Sequence, residues 1–397
     1  QYGSVGFGKR VYPEFNSDFH AVDSLEAIQG EPLIIGWDFG LCYSDDTEVL
    51  TSNGWKFFKD VDEKIDMAAT RNPLNKQFEY TKINFKTEYD WDGDLLEWAS
   101  TEVNFLVTPE HRIPFTYRDT PDKVHFQSAE WLAEHHSGHH YVDLCSEWNQ
   151  SFDESTRYFG MDAKTYSEFM GIYLSEGNVY KVGNSYRITV YQNKQCPFMQ
   201  DILDRTNLKW IYFFNSDSGG WRVTHNDLGL YLKKFGLAKD KYVPHEIKNM
   251  PKHLIKDFIY AYTKGDGNIR QRANGSIEHT IATTSIKMKD DFQELAQKAG
   301  WNSSSYFDKP RKSIIIEDNK EREITNNGIW RISFKKRAKR AELLNRNFRR
   351  IHYSGKIYCL NVPYHTLYVR RNGKPSRNGN TPACVVMQLS QRGQLLI

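Results

Sequence analysis

Between residues 43 and 155 the apolar positions fall in short runs separated by turn residues, with no sustained helical period. Val49-Leu50 runs into Ser52-Asn53-Gly54, and Phe105-Leu106-Val107 runs into Thr108-Pro109. Runs of this length bounded by Gly, Pro, Asn and Asp predict an all-β unit. Gly54-Trp55-Lys56, Asn72-Pro73-Leu74-Asn75 and Asp90-Trp91-Asp92-Gly93-Asp94 are predicted as its turns. From about 156 to 345 the pattern becomes helix-rich and repeats itself. Phe169–Gly177 and Ile259–Gly267 each predict an amphipathic helix with a small residue inside (Gly171, Ala261) and an acidic-Gly pair at its C-terminal end. Small residues let two helix backbones approach closely, and a terminal Gly can cap a helix. A β-like stretch follows each (Tyr186–Val190, Ile277–Ile281), then another helix (Cys196–Leu203, Ser285–Ala299). Alternation returns at Gly355–Val369. An all-β unit split by a helical insertion explains why neither β half is complete alone. Ahead of all this, Leu33–Gly40 predicts a buried strand ending in an acidic turn.

Composition narrows the possibilities. The chain has 397 residues, enough for two or three domains with their own cores. Its net charge of +3 says little, but the distribution says more. Residues 1–41 carry two basic and six acidic side chains; residues 331–350 carry nine basic against one acidic, Glu342. That basic block is a footprint for phosphates or a solvated helix face. The five cysteines (42, 145, 196, 359, 384) form no Cys-x-x-Cys pair and are odd in number, which points to free thiols in a reducing compartment. No run reaches 18 apolar residues, and the N-terminus has no apolar signal core, so a soluble intracellular protein is expected. The first residue is not Met, which reads as a fragment. His135-His136-Ser137-Gly138-His139-His140 lacks companion ligands at metal-site spacing and is predicted as an exposed loop.

Candidate chemistry sits at two widely separated positions. Cys42 opens a strand-and-turn stretch, and taken alone reads as a buried cysteine. Far along the chain, Asn380 is followed directly by the hydroxyl residue Thr381. Thr108-Pro109-Glu110-His111 and the alternating block around His365 lie between them in order. On these residues Cys42–Asn380 resembles an intein, and the flanks resemble pieces of a phage terminase large subunit. The resemblance implies a relay of acyl transfers. Cys42 thiolate attacks the Leu41 carbonyl, with His111 protonating the departing nitrogen and Thr108 hydrogen-bonding nearby. Thr381 Oγ then attacks the thioester. Asn380 cyclises and cuts before Thr381, with backbone amides and His365 polarising the carbonyls. No cofactor is implied for splicing. Asp38 matches the first metal-binding carboxylate of the terminase nuclease domain. Two positions depart from the family pattern: Gly379 stands where a His is usual, which shifts work onto His365, and Cys359 stands where Asp is frequent.

The repeated helices resemble the double LAGLIDADG homing endonucleases, with Glu176 and Asp266 in place of the two final Asp residues. Asp240-Lys241-Tyr242-Val243-Pro244 fits the Lys-x-Ile-Pro block of that family. This implies Mg²⁺ held by Glu176 and Asp266, double-stranded DNA as partner, and Lys241, Lys335, Lys336, Arg337 and Arg340 on the phosphates. The expected fold is α+β multidomain: an all-β Hint horseshoe splicing domain interrupted by an α/β LAGLIDADG endonuclease, with short extein flanks. The divisions fall at 1–41, 42–155, 156–345, 346–380 and 381–397. A monomer in the cytoplasm of a phage-infected host cell, without membrane contact, completes the expectation. Two other readings compete. A packaging nuclease with a decorative insertion leaves only 58 residues outside Cys42–Asn380. A cleavage-only Hint autoprocessing domain with an inactive DNA-binding insertion fits the Asn380-Thr381 junction poorly.

Overall fold

The computed structural model describes residues 33–36, 42–135, 139–193, 196–215, 218–271, 277–317, 320–336, 338–380, 385–389 and 395–396. Two compact units result: residues 1–39 with 382–397, and residues 40–381. In the first, Leu33–Gly36 pairs antiparallel with Val385–Leu389, which in turn pairs with Leu395–Leu396. The two flanks of the chain therefore share one sheet.

The second unit is mixed α+β, richer in strand than helix. Its β part interleaves chain from both sides of the insertion. Tyr43–Ser44, Phe348–Asn361, Phe85–Ala99 and Asn104–Val107 close a barrel. Glu48–Thr51 joins Thr366–Arg371, which carries Lys374–Gly379 at its other edge. Inward-facing aromatic and branched side chains, among them Tyr43, Phe58, Trp98, Phe105, Leu360 and Val369, form its core.

The predicted turn at Asp90–Asp94 is corrected: those residues lie mid-strand in Phe85–Ala99, paired continuously with Phe348–Asn361. The acids are one face of an exposed ribbon, met by cations on the opposite strand. Asp90 pairs with Lys356, and Asp94 with Arg350. Cross-strand opposite charges stabilise the exposed side of such a ladder. The His tract also departs from a simple exposed loop. His136 lies outside the described residues, but His140 is buried in the His140–Asp143 strand against Phe115, Tyr117 and Trp131.

In the insertion, Ala163–Glu176 and Lys252–Asp266 pack face to face. A Cβ at Gly171 would lie 2.7 Å from the Ala261 Cβ, so glycine sets the approach of the backbones. Asp162 caps the first helix by accepting the Thr165 N–H at 2.8 Å. Each helix leads into a four-stranded antiparallel sheet of the same order. The first runs Gly177–Val182, Ser185–Tyr191, Gly219–Thr224, Ile211–Phe214; the second runs Gly267–Gln271, Ile277–Thr283, Ile329–Lys335, Asn302–Asp308. The sequence repeat is thus a repeat of topology. No helix among the described residues is long and apolar enough to cross a membrane.

Candidate functional site

Two clusters of chemistry-bearing side chains stand out, both in the second unit. The first forms where the barrel brings the start of the Cys42 strand beside the end of the Lys374–Gly379 strand. Cys42 is 1 % exposed, and its backbone N–H donates to Thr108 Oγ1 at 3.2 Å. The Thr108 N–H returns a bond to the Cys42 carbonyl at 3.1 Å, fixing the two segments in register. Thr108 thereby holds the nitrogen of the Leu41–Cys42 peptide bond. His111 is fully buried, its ring edge-on to Tyr43 at 4.5 Å, and its Nε2 lies 3.2 Å from Asn378 Oδ1. The Tyr43 hydroxyl donates to the Gly379 carbonyl, so residues adjacent to Cys42 and Asn380 touch. Burial drives the Tyr43 pKa well above its ordinary value, so it stays a donor.

Asn380 is buried, and its Nδ2 donates to the Val362 carbonyl at 3.0 Å. Its backbone N–H donates to the His365 carbonyl at 3.2 Å. His365 sits at φ +54°, a left-handed conformation that tight chain reversals impose. Its imidazole pKa is lowered by burial and then by Arg112, with the Asn380 side chain opposing, so it is neutral at pH 7. At Gly379, an added Cβ would lie 1.8 Å from the Arg112 carbonyl oxygen. Any side chain there would require the Arg112 backbone to shift. Cys359 is buried in the same small apolar cluster as Cys42. Asp38 and Thr381 lie outside the described residues.

The second cluster sits where the paired helices end. Glu176 and Asp266 occupy the C-terminal residues of the two helices, where the helix dipoles disfavour negative charge. Burial raises Glu176 to about 7, with Asp266 adding to the shift, and burial raises Asp266 to about 6. Two crowded carboxylates of this kind fit a divalent cation, which relieves their repulsion while taking its remaining ligands from water and phosphate. No group of three or more His, Cys, Asp or Glu that could hold a metal occurs among the described residues.

Lys241 is corrected from a surface phosphate contact to a buried member of this cluster. Its Nζ donates to the carbonyls of Tyr173, Leu174 and Gly177 at 3.3, 3.0 and 2.9 Å, satisfying the open end of the first helix. Burial lowers it to about 8 while Asp266 and Glu176 pull it back up. Arg340 is also relocated. Arg340–Glu342 pairs with His140–Asp143 in the β part, and its guanidinium donates to Thr116 Oγ1 at 2.9 Å. Lys335 is paired with Glu102 at 3.2 Å, and Lys336 lies 4.8 Å from the Trp301 ring centroid. Arg337 lies outside the described residues.

Other basic residues, missed in the sequence, face outward from the two sheets. Arg187, Lys209 and Arg222 line a concavity on the first; Arg270, Arg311 and Arg331 line one on the second. Strand alternation was the available signal for them. Asn378, on the strand Lys374–Gly379 that precedes Asn380, was missed too.

No family model matches the chain. It is 23% identical over 419 residues to the C-terminal section of the β subunit of DNA-directed RNA polymerase from Stigeoclonium helveticum, covering 89% of this chain and 38% of that protein. It is 22% identical over 367 residues to the ribonucleoside-diphosphate reductase β subunit of Aquifex aeolicus, covering 86% and 50%. The chain thus spans half or less of the length of these curated relatives. Among solved structures, I-DmoI in complex with DNA and Ca is similar over 45% of this chain and 85% of its own, at 16% identity and TM-score 0.30. A splice-inactive variant of the AceL NrdHF class 3 split intein is similar over 86% of this chain and 99% of its own, at 9% identity and TM-score 0.29. The homing endonuclease I-WcaI bound to its DNA recognition sequence covers 44% and 77%, at 11% identity and TM-score 0.27.

Proposed function

We propose that Cys42–Asn380 is a self-splicing intein that excises itself and joins Leu41 to Thr381 of a phage terminase large subunit, and that its insertion is a site-specific DNA homing endonuclease. The observation that carries the splicing half is the contact of Cys42 N–H with Thr108 Oγ1 in the same buried pocket as His111 and the Asn378–Asn380 segment. Tyr43 and Gly379, 336 positions apart, touch there, and a two-ended cut-and-join reaction requires its ends to be held together.

The Cys42 thiol gives up its proton, Sγ bonds to the Leu41 carbonyl carbon, the C–N bond breaks and the Cys42 nitrogen takes a proton from His111. Thr108 holds that nitrogen. Thr381 Oγ next displaces Cys42 Sγ from the acyl carbon, leaving a branched ester. Asn380 Nδ2, oriented by the Val362 carbonyl, bonds to its own backbone carbonyl carbon and expels the Thr381 nitrogen. The ester then shifts to that amine. His365, neutral at pH 7, stands beside Asn380 to take the carboxamide proton.

In the insertion, Glu176 and Asp266 would hold Mg²⁺, which would supply Lewis-acid activation of water and charge stabilisation at the scissile phosphate. The residues of the two sheet concavities then meet the duplex. The curated relatives bear the names of enzymes unrelated to one another, yet each aligns with most of this chain. A self-contained segment that resides in different hosts accounts for that pattern. With a phage host gene, the place of action is the cytoplasm of the infected cell, as a monomer.

Mass spectrometry of the purified chain after incubation tests the splicing reading. It expects a joined flank product and a free Cys42–Asn380 segment. Cleaved flanks without the joined product favour the cleavage-only reading, and formation of the joined product by a Cys42→Ala, Asn380→Ala chain overturns the relay. For the insertion, a duplex carrying the intein-free gene should be cut with Mg²⁺ by the parent chain and bound but not cut by Glu176→Gln plus Asp266→Asn.

A further inference from the structure

Asn378 Oδ1 does two things at once. It accepts the Gly379 backbone N–H at 3.0 Å and lies 3.2 Å from His111 Nε2. A backbone N–H can only donate, so the atom facing it is the carboxamide oxygen and the side-chain orientation is fixed. An oxygen without a proton can only accept, so His111 Nε2 is the donor. Both residues are at most 1 % exposed, and water does not compete for the bond. Asn378 also lies in the strand Lys374–Gly379 that ends one residue before Asn380, and the Gly379 carbonyl there receives the Tyr43 hydroxyl.

We propose that Asn378 is a positioning residue for His111. It holds the imidazole with its proton on Nε2, so that Nδ1 is the nitrogen that gains and loses the working proton at the Cys42 junction. The same bond makes His111 sense the C-terminal strand: the first step runs at full rate only when Asn378–Asn380 is docked. In the step served, the imidazolium gives its Nδ1 proton to the Cys42 nitrogen as the C–N bond breaks. The thiol proton lost from Sγ restores the imidazolium, and no net proton is consumed. The assignment rests on the splicing reading, and deepens it.

The test uses the full chain and measures thiol-induced cleavage at the Leu41–Cys42 bond by dithiothreitol across pH 5.5 to 9, with ¹⁵N-histidine NMR of the same protein. Asn378→Ala is expected to slow cleavage at least tenfold. Asn378→Asp keeps an acceptor and places a carboxylate beside the imidazolium, so it should restore the rate to within a few-fold of the parent. Its alkaline limb should move up by about one pH unit or more, because an opposite charge stabilises the protonated ring. NMR should show His111 protonated at Nε2. A parent-like rate and pH profile in Asn378→Ala overturns the assignment, as does a His111 protonated at Nδ1 alone. If Asn378→Ala does not fold, an unmoved limb in Asn378→Asp overturns it. A parent chain that resists dithiothreitol rejects the splicing reading instead, and the NMR tautomer still decides the role of Asn378.

Discussion

Thr108 shows how a single hydroxyl can serve both fold and chemistry. Its Oγ1 accepts from the Cys42 N–H while its own N–H bonds back to Cys42. Thr108→Ala leaves that buried N–H without its acceptor, at a cost of about 1–3 kcal/mol. The expected outcome is a ten- to hundred-fold slower thiol-induced cleavage at Leu41–Cys42, roughly, with Asn380 cyclisation little changed. Equal slowing of both ends, followed by mass spectrometry, would show that Thr108 acts only on the fold. Gly379 presents the opposite case, where the absent side chain matters. Gly379→Ala puts a methyl against the Arg112 carbonyl and must push two strands apart, costing about 1–3 kcal/mol or more. Its melting temperature should fall and joined product should vanish. Wild-type melting with normal splicing would mean the strand sits elsewhere. The sequence showed Gly379 as a missing His; only the structure shows how closely the Arg112 backbone approaches it.

At the level of elements, the paired helices set the electrostatics of the second cluster. Two helix C-termini bring two carboxylates together, and burial raises Glu176 to about 7 and Asp266 to about 6. Carboxylates raised above their unfolded values favour the fold when protonated, so this contribution is present at low pH. It is lost as pH climbs from the ordinary carboxylate range through about 7. Without metal, Glu176→Gln plus Asp266→Asn should therefore melt higher than the parent at pH 8, by roughly 2–4 °C, and the gap should close by pH 5. Mg²⁺ should raise the parent's melting point at pH 8 and leave the double variant unmoved. Thermal scans at both pH values decide, and a gap that widens on acidification refutes the charge repulsion. These helices were legible because a 3.6-residue period, an internal small residue and an acidic-Gly ending all recur together. Asp90–Asp94 misled because acidic residues around a Gly are ordinary turn signals. The cations that make them a ribbon face lie more than 250 residues away, in Phe348–Asn361. Lys241 was assigned to phosphates through the resemblance of Asp240–Pro244 to a family block, which says nothing of burial; the three carbonyls that draw it inside belong to a distant helix end.

Over the whole second unit, the β strands and the insertion share a core rather than meeting through a linker. Leu50, Phe78 and Tyr368 of the β part belong to one apolar cluster with Phe258, Phe292 and Leu295 of the insertion. The change from short strands to longer helices after residue 156 could be read from the change of period. The return of Arg340–Glu342 to the β part could not, since three residues of strand carry no period and their partner lies at His140–Asp143. Arg370 marks the seam between the two parts. Only 1 % exposed, it stacks over Trp55 at 4.5 Å and pairs with Glu48 on the neighbouring strand. It also pairs with Asp290 on the Ile286–Lys298 helix of the insertion at 2.7 Å. Removing one partner of such a group leaves the others charged and partly dehydrated. Arg370→Met fills the volume but strands Glu48, leaves Asp290 with Lys289 alone at 2.8 Å among the described residues, and removes the 2.9 Å hydrogen bond to Gln293 Oε1. Because the two carboxylates keep some contact with water, the cost should fall at roughly 2–4 kcal/mol, the lower part of what breaking a buried pair entails. If the seam is continuous, calorimetry should show one transition lowered as a whole, and splicing and DNA cutting should fail at the same reduced temperature. Two transitions with only one displaced would separate the insertion from the β strands and end the claim that they fold as one body.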